Sequence, residues 1–489
     1  MAKFNHNSGA IVMADHRKLV LFSVLIGTLM SAIDTTIVIL ALPTITSYFK
    51  ADLFISIWII IIYLLIVAVL TTQLGGLGDI FGRGKIFNAG FLIFIAGSAA
   101  CGFSPGIIEL VGFRGIQAVG AALMQANSNA IIADYFGPHE RGKAFGYTSM
   151  GWSIGGTLGI VLGGIITTFL GWQYIFFINI PIGFVGFILG IRYIRDNNKH
   201  EAKIDIIGMG LLTAVLSFIS YGATDVAGRG INTFNIMLIS LGILLLVPFI
   251  IYEKYPDNPV IKMDAFKVHS LSLSLTSSLM QALGYLSVIF LLIMYLQGIR
   301  GYDPLYASLL LVPGYIISSL ISPKMGKLSD KLGPSIVASA GIFLMAVAVL
   351  IYLELQVNTA IIVLIIASII SGVGGAMFWP SNSSAVMSSA PKKFYGSISG
   401  LLRTLSAIGT LLSYVISITI ASISVPRYVA FEVFLGESSL TGGVSRQFLA
   451  GIHSALWLCL VFLILAGITS FIRGSRKKEG ADLDSPVSS

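Results

Sequence analysis

Two ionisable residues lie inside long apolar stretches, where a charge is costly and usually has a function. Asp34 lies in the stretch 19–42, and Arg114 lies in the stretch 107–131. If both stretches are helices, a rise of about 1.5 Å per residue places the two side chains roughly 10 to 12 Å from the same end. We therefore expect the carboxylate and the guanidinium to face the protein interior and to approach each other, directly or through water.

Such a pair has the chemistry that proton coupling needs. Burial disfavours the charged form of a carboxyl group and a neighbouring guanidinium favours it, so a change of surroundings changes the protonation state. We predict that Asp34 and Arg114 couple a conformational change to the movement of a proton. The alternative is a static ion pair that only orders the two helices.

The composition excludes an ordinary soluble protein. Of 489 residues, 56% are hydrophobic and 11% are charged, whereas a soluble chain carries roughly 25% charged residues. Cys101 and Cys459 lie in or beside apolar stretches and indicate neither a disulfide framework nor a metal site. The sequence has no Gly-rich phosphate-binding loop and no clustered nucleophile and base, so we expect no cofactor, no ATP-driven reaction and no enzymatic activity.

Fourteen apolar stretches are long enough to cross a membrane, for which a helix needs about 20 residues. Lipid offers no partners to backbone polar groups, so these stretches predict helices. The predicted spans are 19–42, 54–74, 85–103, 107–131, 143–168, 172–193, 206–224, 235–252, 270–297, 305–322, 335–353, 360–383, 396–423 and 449–472. The sequence therefore predicts an all-α membrane protein with fourteen transmembrane helices.

Lys and Arg residues are concentrated at one face of this arrangement. With both termini inside, only five of the 30 lie in outer segments, at positions 50, 229, 300, 427 and 446. Because cytoplasmic loops carry the excess of these residues, we predict a plasma-membrane protein with cytoplasmic N- and C-termini. The same distribution argues against nucleic acid as a partner, despite a net charge of +8. The outer segment 424–448 is expected to form a small hairpin or lid.

A pattern of glycines with one acidic residue occurs twice. The pattern Gly-x-Leu-x-Asp-x-x-Gly begins at Gly75 and again at Gly326, and we expect each copy in a short cytoplasmic turn. The repeat predicts two pseudo-symmetric six-helix bundles with two linker helices, a plan typical of secondary transporters with a site between the halves. The predicted boundaries are 1–203 for the N-terminal bundle, 204–267 for the linker helices, 268–473 for the C-terminal bundle and 474–489 for a disordered cytoplasmic tail.

Four motifs, in order along the chain, resemble those of the major facilitator superfamily. Residues 75–85 resemble its signature between helices 2 and 3. Residues 34–43 resemble the first-helix signature of one branch, the fourteen-helix drug:proton antiporter family, and residues 114–122 resemble the fourth-helix signature. Residues 151–164 resemble the fifth-helix antiporter signature, with Ile160 where the family usually has proline.

The resemblance implies roles for two groups of residues. The first would form a conformational latch and consists of Gly75, Asp79, Gly82, Arg83 and Asp330. The second would form a helix-packing antiporter motif and consists of Gly151, Gly155, Gly159, Gly163 and Gly164. A glycine every four residues clears one stripe of a helix, so that a neighbouring helix can approach closely. One interpretation is a tight contact between the two bundles that limits ion leak, and the other is ordinary helix packing; we favour a packing role with consequences for function.

Polar and aromatic residues inside the predicted spans are candidates for lining a substrate site, although each is also consistent with simple packing. The candidates are Trp58, Tyr63, Gln117, Asn127, Gln281, Tyr285, Trp379 and Asn382, with Asn179 as a further one. Arg403 either extends to the inner membrane interface or faces the cavity, where it would favour neutral or anionic substrates.

The resemblance implies a proton-coupled secondary transporter that exports small lipophilic compounds or drugs by alternating access. Two alternatives stay open: a proton-coupled uptake symporter for one specific solute, and a transporter-like membrane sensor that binds ligand without moving it. The expected partners are a small lipophilic substrate, protons and the lipid bilayer. We expect the chain to function as a monomer and to bind no metal.

Overall fold

A computed structural model describes residues 4–51, 53–196, 205–256, 259–261, 263–302, 304–391, 394–423 and 445–474. Within these residues the chain is helical apart from short connections. The α-helices are α1 (Phe4–Phe49), α2 (Leu53–Phe81), α3 (Arg83–Gly102), α4 (Ile107–Tyr135), α5 (Arg141–Phe169), α6 (Tyr174–Phe177), α7 (Asn179–Tyr193), α8 (Ile206–Arg229), α9 (Thr233–Tyr252), α10 (His269–Met294), α11 (Pro304–Leu309), α12 (Val312–Leu332), α13 (Pro334–Leu353), α14 (Ile361–Ser389), α15 (Tyr395–Ile423) and α16 (Ser445–Gly474).

The predicted all-α membrane fold is confirmed, with two of the fourteen spans divided. Thirteen described helical segments are long and apolar enough to cross a membrane. The sixth span consists of α6 and α7, which are separated at Ile178. The tenth span consists of α11 and α12, and α12 falls short of the others in apolarity because its second half carries Lys324, Lys327 and Lys331.

The predicted ends of several spans are wrong, because apolarity marks the hydrocarbon region whereas helices continue into polar sequence. α1 begins at Phe4 rather than at residue 19. The two copies of the glycine–aspartate pattern lie mostly inside α2 and α12 rather than in loops. The turn itself is a single residue in each half, Gly82 with φ of 108° and Gly333 with φ of 95°. A residue with a side chain rarely adopts such a conformation.

The two bundles pack in the same way, which gives the molecule its pseudo-symmetry. In the N-terminal half, α1 packs against α5 and α7, and α4 packs against α2 and α3. In the C-terminal half, α10 packs against α15 and α16, and α14 packs against α12 and α13. The halves meet through two equivalent pairs of helices, α5 with α12 and α2 with α15.

The two inserted helices lie beside one of these junctions. α8 packs against α9 and also contacts α2 and α15, so it touches both halves. Asp205 caps α8 by accepting the N–H of Gly208 at 2.8 Å. Its own N–H donates to Oε1 of Gln73 on α2 at 3.2 Å. The predicted outer hairpin and the cytoplasmic tail lie almost wholly outside the described residues.

Candidate functional site

Asp34 lies at the centre of a fully buried hydrogen-bond network in the N-terminal half. Arg114 donates from Nη1 to Asp34 Oδ2 at 2.7 Å. Gln117 and Asn179 donate their amide groups to Asp34 Oδ1 at 2.8 and 3.1 Å. Neither Asp34 nor Arg114 has more than 1% of its surface exposed. Each of these contacts brings a donor to the carboxylate, a pattern that fits its ionised form.

Further contacts tie this network to four helices. Ser98 Oγ on α3 accepts from Gln117 Nε2 at 2.6 Å and from Asn179 Nδ2 at 3.1 Å. Arg114 also donates to Gln117 Oε1 at 2.6 Å and to the carbonyl oxygen of Ile59 at 3.2 Å. The network therefore joins α1, α3, α4 and α7, and it connects to α2 through Ile59.

The interruption between α6 and α7 places Asn179 in this network. Pro181 has no N–H to donate and is tolerated in the first turn of a helix. Restarting the helix at Asn179 puts Pro181 in that turn. Asn179 is fully buried there and points to Asp34 and Ser98. Ser98 was not a candidate from the sequence, because a lone serine in an apolar helix carries no signal of its own.

Aromatic rings cover the guanidinium of Arg114. Its Cζ lies 4.4 Å from the ring centroid of Tyr63 and 5.9 Å from that of Phe176. A ring face attracts a cation, and more strongly where water is excluded. Tyr63 and Phe176 therefore help to hold the charged pair away from lipid. Of the substrate-site candidates, Tyr63, Gln117 and Asn179 thus belong to the Asp34 network.

At one end of the molecule, Asp79 joins the N-terminal half to the start of α15. Its carboxylate accepts the N–H groups of Gly396 and Ser397, both at 3.0 Å. Arg83 donates to Asp79 Oδ1 at 2.7 Å and to Asp134 at 2.5 Å. A carboxylate at a helix N-terminus satisfies free N–H groups and complements the helix dipole. The contact therefore favours the conformation in which the halves touch at this end.

Asp330 makes the equivalent contact from the C-terminal half. It accepts the N–H groups of Gly142 and Lys143 at the start of α5, at 2.9 and 3.0 Å. Glycines let the backbones approach in both places, since a Cβ on Gly75 or on Gly326 would overlap the carbonyl group of the facing glycine. The five residues that the resemblance assigns to the latch therefore lie at this end, and their role stays a prediction.

The glycines of α5 face two different neighbours. A Cβ on Gly155 would lie 2.6 Å from the carbonyl oxygen of Leu29, and Gly151 and Gly159 also face α1. The interpretation of these three glycines as a contact between the bundles is therefore wrong, because α1 belongs to the same half. Gly146 does make the contact between halves, where a Cβ would lie 2.6 Å from Pro323 Cα. Spacing defines a stripe on a helix but not the helix that covers it. The last members of the motif are Gly163 and Gly164. The Thr167 hydroxyl donates to their carbonyl oxygens, at 2.6 and 3.3 Å.

The other substrate-site candidates do not converge on one place. Trp58 has its ring 6.0 Å from that of Tyr221 on the linker helix α8. Asn127 donates to the carbonyl oxygens of Leu123 and Leu74. The remaining four, Gln281, Tyr285, Trp379 and Asn382, lie in the C-terminal half. Gln281 donates to the sulfur of Met345, Asn382 accepts from Arg473 at 2.7 Å, and Trp379 packs against Phe378.

A group of partly buried tyrosines lies where the C-terminal half meets α5. Tyr285 on α10 and Tyr414 on α15 are near enough to Tyr315 on α12 to interact with it electrostatically. The ring of Tyr315 would contact a Cβ on Gly156 of α5 at 3.1 Å. We call Tyr285, Tyr315 and Tyr414 the tyrosine cluster. The sequence indicated only Tyr285, because nothing in the spacing of three tyrosines on three helices shows that they meet.

The helical bundles and their buried ionisable centre define a membrane transporter fold, and comparison with known proteins identifies the family. The sequence model of the Major Facilitator Superfamily matches residues 24–414. The chain belongs to the major facilitator superfamily.

Several curated relatives are similar over most of their length. The chain is 32% identical over 401 residues to the riboflavin transporter RibZ of Clostridioides difficile, covering 80% of this chain and 86% of the relative. It is 27% identical to the multidrug transporter protein MdtP of Bacillus subtilis, covering 80% and 73%. It is 26% identical to the tetracenomycin C resistance and export protein of Streptomyces glaucescens, with the same coverage. The last two relatives are consistent with the fourteen-helix drug:proton antiporter family.

Solved structures share the fold. The proton:xylose symporter XylE aligns with a TM-score of 0.62 at 14% identity, covering 93% of this chain and 95% of that one. The human organic anion transporter MFSD10 aligns with a TM-score of 0.60 at 14% identity, covering 92% and 99%. At this identity the likeness concerns the architecture alone.

Proposed function

We propose that the chain exports small lipophilic compounds in exchange for protons, with Asp34 as the residue that gains and loses the proton. One observation carries the proposal: a buried carboxylate is held by Arg114 and two amide donors, with no acceptor among its partners. In this conformation the network fits the ionised form. A protonated Asp34 would release Arg114 and leave its guanidinium without a counter-charge, so protonation favours a different arrangement of the helices.

The contacts between halves support the conformational part of this cycle. Asp79 and Asp330 close one end of the molecule through the first turns of α15 and α5. With the cytoplasmic termini and the plasma-membrane location that the sequence predicts, this is the inner end. We propose that opening of the opposite end from this conformation lets Asp34 take up a proton from outside. The tyrosine cluster, at the contact of the C-terminal half with α5, is where we propose that the lipophilic part of a substrate packs.

Uptake of a specific solute is the second candidate, and its support is the similarity to a riboflavin transporter. Reconstituted proteoliposomes with an imposed pH gradient separate the two candidates. Exchange moves a neutral lipophilic probe such as pyrenebutanol against the proton flux, symport moves the solute with it, and a sensor gives no flux of either. Flux of the probe in the same direction as protons would refute the export proposal.

Asp34→Asn tests the role of the carboxylate in this assay. We expect proton-driven transport to be lost, because the amide does not titrate. Removing one partner of a buried ion pair can destabilise the fold by about 3 to 5 kcal/mol. The double variant Asp34→Asn with Arg114→Gln is therefore the matched control, since it is neutral and keeps amide hydrogen bonds. Both variants should bind the probe without coupling it to protons. Full proton-driven transport by either folded variant would eliminate Asp34 as the coupling residue.

A further inference from the structure

Arg403 lies between the two halves, and none of the described carboxylates pairs with it. It projects from α15 of the C-terminal half, and its Nη2 donates to Oδ1 of Asn129 on α4 of the N-terminal half at 3.4 Å. This is a long contact for a charged donor. In the part of the chain that the structure describes, no carboxylate pairs with Arg403. The expectation that Arg403 extends to the membrane interface is therefore wrong, because the side chain turns towards the facing bundle.

Two buried donors at this position have no acceptor. They are Nε of Arg403 and Nδ2 of Asn129. Asn129 must present its carbonyl oxygen to the guanidinium, since a guanidinium has only donors, and this leaves its amino group as the free donor. Buried donors in folded proteins are nearly always paired. Two unpaired donors side by side with a positive charge are complementary to an anionic acceptor.

Arg403 and Asn129 lie in the contact between the halves near the end at which Asp79 and Asp330 join them, which we call the latch end. Alternating access requires the halves to separate there. The neighbouring Thr404 accepts hydrogen bonds from the N–H and the hydroxyl group of Thr72 on α2, at 3.1 and 2.9 Å. Asn129 lies six residues before the end of α4 at Tyr135, or about 9 Å from that end at about 1.5 Å per residue. Separation of the halves there would break the hydrogen bond from Arg403 to Asn129 and expose the guanidinium to the opened space.

We propose that Arg403 and Asn129 bind the anionic group, a carboxylate, sulfonate or phosphate, of an amphipathic compound that enters when the halves separate. The inference rests on the proposed function in one respect, that the space between the halves is the transport path. The planar guanidinium offers two parallel donors to such a group, and the amide of Asn129 adds a third. Arg403 brings its positive charge into this interface with no carboxylate partner among the described residues.

Binding of a matched pair of probes tests the proposal. Pyrenebutyrate and pyrenebutanol differ in the anionic group and share the apolar part. The full-length protein in nanodiscs of neutral lipid is titrated with each probe at one pH and without a gradient, with energy transfer from tryptophan to pyrene as the signal. Arg403→Gln should weaken pyrenebutyrate binding about tenfold or more, since a hydrogen bond to a charged group is lost. Binding of pyrenebutanol should change by less than about twofold.

Three further variants make the result decisive. Asn129→Asp places a carboxylate beside the guanidinium and should weaken pyrenebutyrate to a similar extent in a protein that keeps Arg403. Arg403→Lys keeps the charge without the planar donors and should give an intermediate loss. Arg192→Gln removes an exposed guanidinium at the end of α7 and should change neither probe.

Three results would overturn the anion site: no pyrenebutyrate binding to the unmodified protein, unchanged affinity in both Arg403→Gln and Asn129→Asp, or equal losses for the two probes. Asp34→Asn separates this inference from the coupling proposal. Because binding is measured without a gradient, that variant should keep the preference for pyrenebutyrate even where proton-driven transport is lost.

Discussion

Asp79→Asn should release the contact between the halves at the latch end. The carboxylate accepts two backbone N–H groups and the hydroxyl group of Ser397, and it also pairs with Arg83. An asparagine keeps one acceptor and loses the charge. A lost helix cap costs about 0.5 to 2 kcal/mol, and a lost charged hydrogen bond costs about 1.5 to 3 kcal/mol. Because these contributions overlap, we expect a net shift of about 2 to 3 kcal/mol, or about 30- to 150-fold in the conformational equilibrium.

Distances between spin labels measure this shift. Lys85 and Lys331 are exposed at the latch end of the two halves, and the two native cysteines, Cys101 and Cys459, are buried and can be replaced. Labels at positions 85 and 331 should show one short distance in the unmodified protein and a longer population in Asp79→Asn. A label pair within the N-terminal half, at Lys85 and Arg192, controls for unfolding and should keep its distance.

Asp330→Asn is the matched variant in the other half. Asp330 is more exposed than Asp79 and accepts only two backbone N–H groups, so its replacement should produce a smaller longer-distance population. The reasoning would be refuted if Asp79→Asn left the distance distribution between positions 85 and 331 unchanged, or if Asp330→Asn had the larger effect.

Two further predictions concern packing and a buried carboxyl group. Gly155→Ala would place a Cβ 2.6 Å from the carbonyl oxygen of Leu29 and should lower stability by about 1 to 3 kcal/mol, whereas Gly112→Ala in open space should not; equal melting temperatures would contradict this. Burial and a nearby carboxylate raise the pKa of Glu253, just after α9, from 4.5 to about 7. Since the pKa is higher in the folded state, stability is lost as pH rises towards 7. At pH 8 the variant Glu253→Gln should therefore be more stable than the unmodified protein by about 1 to 3 kcal/mol after solvent screening, and should melt at a higher temperature. At pH 4 the two proteins should melt at the same temperature. The exposed Asp264 provides the control, Asp264→Asn, and a Glu253→Gln effect independent of pH would refute the assignment.

The sequence predicts the architecture well because the membrane imposes it. Long apolar stretches can only be helices in lipid, and a repeated motif shows that the chain consists of two similar halves. The pairing of Asp34 with Arg114 also follows from the sequence, since each charge would be costly if it faced lipid and the two lie at a similar depth. Exact helix ends do not follow, because α1 and α12 continue through polar residues.

The neighbours of each side chain depend on rotation of the helices, which composition does not reveal. Ser98 joins the Asp34 network, and Asn382 instead accepts from Arg473 within the C-terminal half. Gly155 faces α1 and Gly146 faces α12, although both lie on α5. These differences arise because a stripe of residues on one helix is compatible with several neighbours until the whole bundle is packed.

Release of a proton on substrate binding tests the central claim most directly. The purified protein, in weakly buffered detergent solution with a pH-sensitive dye, is mixed with an exported compound. If the compound favours the arrangement in which Asp34 is ionised, the fraction of the unmodified protein that carries the proton before mixing should release it, at up to one proton per molecule bound. The neutral Asp34→Asn with Arg114→Gln variant should bind without release. Binding with no release by the unmodified protein, or equal release by both proteins, would contradict the account.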